Sequence, residues 1–263
     1  MVLKTPTVNV VSAQEIASAA RSHIDQLASH RRAKGIGRVS QLVDEKYYLA
    51  VPPKSIAERL LVLARERIYR DFLSRMRPSA LDPILDVGVS DVVNDGANVL
   101  ERNYTHQYKI TACGLGDGHA FELAYPKADY VRIAPNARLP FEDGSFAIAT
   151  SNAVLEHVGS FESQDFLVRE LCRVAQRVFI SVPNRFFPVE HHTALPFAHY
   201  GNATFRMACE ATGQSDWTKE KNLILMTRKR LWRLAGPIER SAAVGYTGLL
   251  LGPFSSNLYL AFH

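Results

Sequence analysis

The stretch that decides the fold of this chain is residues 139–158, which read LPFEDGSFAIATSNAVLEHV. Its centre, 146–151, is a short apolar run that follows the turn residues Gly144 and Ser145 and leads into the polar residue Asn152. A run of this length, bounded by turn signals, is typical of a buried strand. We therefore predict a strand at 146–151, with the residues after it lying at the end of a sheet.

Similar strand patterns occur on both sides of this run and alternate with helical ones. Strands are predicted at 84–89, 108–115, 130–134, 146–151, 178–182, 242–247 and 257–262. Helices are predicted near 94–104, 119–125, 162–175, 203–212 and 227–234. Alternation through short connections favours a parallel sheet with helices on both faces. We therefore predict an α/β fold, a doubly wound and mostly parallel seven-stranded sheet, in which 245–248 and 252–257 form a glycine-rich turn between the last two strands.

Charge is unevenly distributed along the chain. Residues 1–78 carry 14 Lys and Arg against 7 Asp and Glu, whereas residues 79–263 carry 17 against 19. Helical periodicity is present at 12–30 and at 55–76. We therefore predict a basic helical N-terminal extension, 1–78, followed by an α/β domain, 79–263. The arginines of the second helix alternate with an apolar stripe and are expected to point to solvent, so peripheral contact with an anionic surface stays open.

Composition limits the class of protein. The chain has 263 residues, 47% hydrophobic and 22% charged, which is typical of a globular protein and excludes wholesale disorder.

No apolar run approaches the roughly 18 to 20 residues that span a bilayer, so we expect no integral membrane association. The start of the chain lacks the apolar core of a secretory signal, so a cytoplasmic location is expected. Nucleic acid is not expected as a partner, because no basic stripe is interleaved with aromatic residues.

A ligand site is expected where the parallel strands end, because open parallel sheets bind ligands outside their carboxyl ends. The first such turn contains Asp86, Gly88 and Ser90. Glycine lets the backbone pass close to a ligand, and a carboxylate accepts hydrogen bonds. The turn lacks the third glycine of the pattern G-x-G-x-x-G, so a dinucleotide is disfavoured as the ligand.

Three segments occur in a recognisable order: the glycine turn after the first strand, L-P-F-x-D-x-S-F before the fourth strand, and V-L-E-H-V after it. With them, residues 83–183 resemble the class I S-adenosylmethionine-dependent methyltransferases of the type 11 group. The resemblance implies a Rossmann-like sheet, S-adenosyl-L-methionine as the cofactor and methyl transfer as the activity.

The resemblance also implies which residues surround the cofactor. They are Asp86, Gly88 and Ser90 at the methionine end, Asn136 and Ala137 beside the adenine, Asn152 beneath the sulfonium, and the pair Glu156 and His157 after the fourth strand. Members of the family usually have an acidic residue at the end of the second strand for the ribose hydroxyls. Here the nearest acidic residue is Asp117, which we expect to take that role. For Glu156 and His157, a role in orienting the loop is the alternative to a catalytic one.

The loop after the fifth predicted strand, 184–200, concentrates groups that can move a proton. We predict Glu190, His191 and His192 as catalytic residues, any one of which could deprotonate an acceptor hydroxyl, since imidazole titrates near working pH. A metal site built from these three residues and His199 is the rival interpretation. No H-x-x-x-H spacing is present in the loop, so no metal site is predicted. Packing of the histidines as a lid over an acceptor pocket is a third interpretation.

These features predict methyl transfer to a small-molecule, glycan or lipid-linked acceptor, catalysed mainly by holding the nucleophile and the methyl group in line. The missing ribose carboxylate supports an alternative, a degenerate methyltransferase-like domain that acts as a binding module without turnover. A nucleic-acid methyltransferase is disfavoured, because the chain has no Asn-Pro-Pro-Tyr type motif.

Overall fold

The framework of the molecule is a seven-stranded β-sheet with the strand order β3-β2-β1-β4-β5-β7-β6. The computed structural model describes residues 56–90 and 97–263. The helix predicted at 12–30 and most of the predicted extension 1–78 lie outside these ranges. The strands are β1 Ile84–Val87, β2 Ile110–Gly114, β3 Asp129–Arg132, β4 Phe146–Asn152, β5 Ala175–Pro183, β6 Ala242–Leu251 and β7 Phe254–Phe262.

The order of the strands reverses between β1 and β4. The chain adds β2 and β3 on one side of β1 and then crosses to add β4 and β5 on the other, and these five strands are all parallel. The last strand, β7, lies antiparallel between β5 and β6. The predicted α/β fold is confirmed, and its switch point lies where such sheets bind ligands.

Helices cover both faces of the sheet. They are α1 Ile56–Met76, α2 Val99–Asn103, α3 His119–Ala124, α4 Phe161–Val174, α5 Asn202–Ala211 and α6 Arg228–Ala235. Because successive residues of a strand point to opposite faces, Leu85 packs in a core layer with α4 and α6, whereas Ile84 packs in a layer with α1. Within the described ranges, no helix is both long and apolar enough to cross a membrane.

The longest helix, α1, contributes large side chains to the core. Phe72 is buried, and its ring meets that of Phe179 on β5 edge to face, with centroids 5.8 Å apart. The guanidinium of Arg75 lies 4.0 Å from the ring centre of Tyr259 on β7. The Thr247 hydroxyl of β6 donates a hydrogen bond to Asp71 at 2.6 Å. These contacts fix α1 across β5, β7 and β6; the predicted boundary at residue 78 stays a prediction.

The predicted turn at 245–248 is wrong, because β6 continues through these residues and the chain reverses after it, at Gly252. The pairing of β6 with β7 is irregular between Thr247 and Leu250. Gly248 lies in this irregular part with φ +75°, and a β-carbon there would lie 2.3 Å from the Ser256 hydroxyl oxygen. A glycine inside a strand therefore marks a bulge in this sheet, where the sequence pattern indicated a turn.

Phe72→Ala should lower the free energy of unfolding by about 3 to 5 kcal/mol, because it removes a buried ring from the layer between α1 and the sheet. Urea unfolding followed by circular dichroism measures the loss. Phe166→Ala makes the same change at an exposed ring on α4 and should cost about 1 kcal/mol or less. Equal losses in the two variants would contradict the packing of α1 against the sheet.

Candidate active site

The turn after β1 lies against the segment that follows β4. Gly88 has φ +99°, and a β-carbon there would lie 2.1 Å from a methyl carbon of Val154. Glycine alone permits both this backbone conformation and this close approach. The turn predicted for the methionine end of the cofactor and the segment predicted beneath its sulfonium are therefore neighbours at the switch point.

The other two residues predicted in this turn, Asp86 and Ser90, are buried. Burial raises the pKa of Asp86 to about 7, and burial together with the Asp86 charge raises the pKa of Glu101 on α2. The side chain of Asn98 accepts a hydrogen bond from the Ser90 N–H at 3.0 Å and donates one to the Ser90 carbonyl at 2.8 Å. This pair joins the residues on either side of 91–96, which lie outside the described ranges.

At the end of β2, Asp117 is exposed, and one of its carboxylate oxygens accepts a hydrogen bond from the backbone N–H of His119 at 3.1 Å. The ring of Tyr130 lies across this strand end, and its hydroxyl donates to the carbonyl of Gly116 at 3.2 Å. Gly118 leaves room for the ring, since a β-carbon there would lie 2.2 Å from it. The aromatic ring thus supports the turn that carries Asp117.

In the turn after β3, Asn136 and Ala137 are both exposed. Asn136 has φ +52°, a left-handed conformation that asparagine tolerates better than most residues. Because β2 and β3 are parallel neighbours, the Asn136 amide and the Asp117 carboxylate follow adjacent strand ends at one edge of the sheet. Both side chains are available to a ligand at this edge.

The segment LPFEDGS, 139–145, is held by two charged residues of α4. Glu170 accepts a hydrogen bond from the Leu139 N–H at 2.8 Å and pairs with Arg173 at 2.7 Å. The guanidinium of Arg173 also donates to the carbonyls of Leu139 and Phe141 and pairs with Asp143 at 2.8 Å. The residues of this motif are therefore occupied by contacts with α4, and these contacts fix the connection that leads into β4.

The chain changes direction sharply where β4 ends. The side chain of Asn152 contacts the hydroxyl of Ser181 on β5, and the next residue, Ala153, donates its N–H to the Ser181 carbonyl at 2.9 Å. Ala153 has φ +56°, a conformation that costs a non-glycine residue energy and persists where the surroundings impose it. The short helical turn Leu155–His157 follows directly.

Two histidines from distant parts of the chain meet beside this turn. The Nε2 atoms of His157 and His192 lie 3.1 Å apart. Nδ1 of His157 donates to the backbone carbonyl of Asn222 at 2.7 Å, and Nδ1 of His192 donates to Glu190 at 2.8 Å. The other oxygen of Glu190 accepts hydrogen bonds from the backbone of His192 and Thr193 and from the Thr193 hydroxyl. Of the predicted residues, Glu190, His192 and His157 therefore form one connected group.

The charges of this group follow from its hydrogen bonds. Burial disfavours a charge on Glu190, but the hydrogen bonds from His192 and Thr193 outweigh it and hold the pKa of Glu190 at about 2. Burial also acts to lower the pKa of His192, but the Glu190 carboxylate raises it above the usual value. Burial and the charge of His192 lower the pKa of His157 to about 4. At neutral pH Glu190 is a carboxylate, and the ring of His157 is uncharged.

Glu156 stands beside the histidines, 1% exposed, and neither of its carboxyl oxygens has a hydrogen-bond partner among the described residues. Burial raises the pKa of Glu156 to about 7, against the opposing effects of His192 and of Arg65 on α1. Arg65 is half-buried, and burial lowers its pKa to about 10. The prediction that the arginines of this helix point to solvent is correct for Arg67 and Arg70, which are exposed, and wrong for Arg65.

The ring of Trp217 covers the histidine pair, with its centroid 4.9 Å from that of His192 and 6.4 Å from that of His157. No pattern in the sequence pointed to Trp217 or to the carbonyl of Asn222, because both reach the pair from a separate segment. The third predicted catalytic residue, His191, lines a small cavity with Glu156. Burial and the charge of His192 lower the pKa of His191 to about 4.

The ligand atoms of the rival metal interpretation do not converge on one point within the described residues, although Glu190, His191 and His199 line the same small cavity. His199 is buried apart from the pair, and its Nε2 donates to the carbonyl of Phe187 at 2.8 Å. The ligand atoms that do converge within the described part of the chain belong to Glu156, His157 and His192, and all lie within 4.8 Å of one another.

Arg173→Gln should lower the free energy of unfolding by about 2 to 3 kcal/mol, because it leaves the buried Glu170 carboxylate without its cation. Arg169→Gln on the same helix is the matched control. Arg169 pairs with Asp165 at the surface and is 49% exposed, so its loss should cost about 0.5 kcal/mol. Chemical unfolding of both variants tests the difference. An Arg173 variant as stable as the Arg169 variant would contradict the role of Arg173 in holding the segment 139–145.

Comparison with known proteins gives one family model, described as a methyltransferase domain, which matches residues 97–177. Among solved structures, the PH0226 protein from Pyrococcus horikoshii OT3 is 12% identical over 84% of this chain and 98% of its own, with a TM-score of 0.53. The methyltransferase domain of bacterial CtHen1 is 14% identical over 77% of this chain and 98% of its own, with a TM-score of 0.50. The CurJ carbon methyltransferase is 10% identical over 80% of this chain and 55% of its own, also with a TM-score of 0.50. A search of curated proteins gives no match.

The solved structures show the shared fold, and the family model adds the type of domain. Its match contains both motif segments of the sequence, L-P-F-x-D-x-S-F and V-L-E-H-V, and confirms the resemblance predicted from them. Residues 97–177 therefore match a methyltransferase domain, and S-adenosylmethionine is the cofactor that this match indicates for the chain.

Proposed function

We propose that this chain methylates a hydroxyl group of a small-molecule, glycan or lipid-linked acceptor. The observation that carries the proposal is the group of histidines and carboxylates at the carboxyl ends of β4 and β5, which begins at Glu156, two residues after the Val154 that contacts Gly88. A hydroxyl must lose its proton to become an effective nucleophile, and imidazole and carboxylate are the side chains that accept protons near neutral pH.

The residues at the edge of the sheet fit the cofactor. Gly88 provides a turn without a side chain at the end of β1, Asp117 offers an exposed carboxylate to the ribose hydroxyls, and Asn136 and Ala137 offer an amide and a backbone to the adenine. Asn152 would lie beneath the sulfonium. When bound, S-adenosylmethionine supplies an electrophilic methyl group, and the task left to the chain is to hold and deprotonate the acceptor.

On the acceptor side, we assign different roles to the three loop residues predicted as catalytic. His191 lines the small cavity, and its lowered pKa keeps the ring neutral and able to accept a hydrogen bond from a hydroxyl. Glu190 accepts its hydrogen bonds from His192 and Thr193 inside the loop. It therefore acts as a positioning residue for His192. The small volume of this cavity suits a single hydroxyl group better than a nucleobase.

Asp117→Ala should weaken S-adenosylmethionine binding about 10- to 100-fold, because a charged hydrogen bond to the ribose is worth roughly 1.5 to 3 kcal/mol. Calorimetric titration with S-adenosylmethionine and with S-adenosylhomocysteine measures the change. Asp129→Ala removes an exposed carboxylate at the opposite end of β3 and should leave the affinity unchanged. Failure of the wild-type chain to bind the cofactor even at millimolar concentration would favour the non-catalytic binding module instead.

His191→Gln should lower turnover about 10²- to 10⁴-fold with the cofactor affinity unchanged, because it removes the proton acceptor and keeps the size of the side chain. Formation of S-adenosylhomocysteine with a panel of sugar, phenol and lipid-alcohol acceptors gives the rate. Charge reversal of the exposed residues Arg67 and Arg70 should change neither turnover nor cofactor affinity. Loss of turnover in the arginine variants, with His191→Gln active, would move the acceptor site to α1.

A further inference from the structure

We propose that His157, His192 and Glu156 form a binding site for one divalent transition-metal ion, for which Zn²⁺ is the reference ligand. The two imidazole nitrogens and the carboxylate come from the turn after β4 and from the loop after β5, and their ligand atoms lie within 4.8 Å of one another. Two of its ligands, Glu156 and His157, are the pair that the family resemblance implies beside the cofactor, and the site itself stands on geometry that requires no knowledge of the acceptor.

The first observation is the way in which the two rings face each other. A carbonyl only accepts hydrogen bonds, so Nδ1 of His157, at 2.7 Å from the Asn222 carbonyl, carries a hydrogen. The Glu190 oxygen at 2.8 Å likewise requires a hydrogen on Nδ1 of His192. In their neutral forms both rings then present a lone pair on Nε2, and these lone pairs point into a gap of 3.1 Å. Such a contact is stable only with a positive species, either a proton or a metal ion, between the two nitrogens.

The spacing suits a metal ion. Two nitrogens bound to one zinc at about 2.0 to 2.1 Å are separated by roughly 3.0 to 3.4 Å when the angle at the metal is about 95° to 110°. The observed separation of 3.1 Å lies within this interval. An oxygen of Glu156 lies 4.0 Å from Nε2 of His157, and a carboxylate without a hydrogen-bond partner among the described residues has no competing contact to break as it turns toward an ion.

The surroundings of the two rings also match those of metal-bound histidines. Such histidines almost always donate their second ring hydrogen to a carboxylate or to a backbone carbonyl, and here one of the pair does each. The side chain of His157 is 29% exposed, so an ion can enter from solvent, whereas Glu156 closes the buried side at 1%. Trp217 covers the pair from a third direction.

Two imidazoles and one carboxylate favour zinc, cobalt or iron over magnesium and calcium, which prefer oxygen ligands alone. Three protein ligands leave a coordination position open, as in catalytic zinc sites. Resting on the proposed function, we assign this open position to the acceptor hydroxyl, because a bound divalent ion would make that hydroxyl a stronger acid.

The competing state of the group holds a proton in place of the metal ion. In that state the proton is shared by His157 and His192 and occupies the gap between their Nε2 atoms. The two states differ in metal content, so a measurement of bound metal separates them without any assay of methyl transfer.

The test uses the full chain, stripped with a chelator, dialysed, and titrated with Zn²⁺ against a chromophoric indicator and separately with Co²⁺. We expect one equivalent of either ion at micromolar concentration, with a visible Co²⁺ spectrum of nitrogen and oxygen ligands. His192→Gln and His157→Gln should each abolish this equivalent, and Glu190→Gln should weaken it about 10- to 100-fold. His191→Gln, the same change one residue away, should bind zinc as the wild type does.

Circular dichroism of every variant checks the fold, and Glu156→Gln serves if a histidine variant does not fold, since it changes a side chain with no hydrogen-bond partner to lose among the described residues. Glu156→Gln should bind zinc more weakly than the wild type and shift the Co²⁺ spectrum. No uptake of either ion by the wild-type chain, or an equivalent retained in His157→Gln, His192→Gln and Glu156→Gln, would overturn the site. A chain that binds zinc without methylating any acceptor would retain the site and lose the proposed function.

Discussion

The absence of a side chain at Gly88 is the constraint on which the site depends. The side chain of Val154 fills the space that a β-carbon on residue 88 would occupy, and the backbone of Gly88 has φ +99°. This contact fixes the turn after β1 against the turn after β4, and the second turn carries Glu156 and His157, two and three residues after Val154. Two molecules bound at these two turns would therefore lie at a fixed distance from each other. Catalysis by positioning requires such a fixed distance.

A buried, charged group so close to a ligand site needs its own compensation, since a carboxylate without partners is costly in the interior. Glu190 receives that compensation from its own loop: two backbone N–H groups and the Thr193 hydroxyl bind one oxygen, and His192 binds the other. The loop therefore brings a complete ion pair to the edge of the sheet, and the turn after β4 contributes Glu156 and His157. This independence explains how a charged group is added to an ordinary methyltransferase fold without disturbing the core beneath it.

The sequence predicted the alternation of strands and helices and the two motif segments, because these depend on local periodicity and on turn residues. It did not predict Arg65, Trp217 or Asn222 near the histidines, since these contacts join segments far apart in the chain and leave no local pattern. It also placed a turn at Gly248, where a bulge keeps the glycine inside a strand. The roles of the predicted cofactor residues, Asp117 among them, depend on a ligand and stay predictions.

The neighbouring histidines of the loop show why the spacing of residues in the sequence did not predict which side chains act together. His191 and His192 follow one another, yet the ring of His191 packs edge to face on Phe187 at 5.7 Å, whereas the ring of His192 contacts His157 and Trp217. Glu190 hydrogen-bonds only the second ring, so its charge raises the pKa of His192 while burial lowers that of His191. The loop thus places the neutral ring of His191 at the cavity and the ring of His192, held by Glu190, against His157. The division arises because neighbouring side chains on this backbone point into different surroundings.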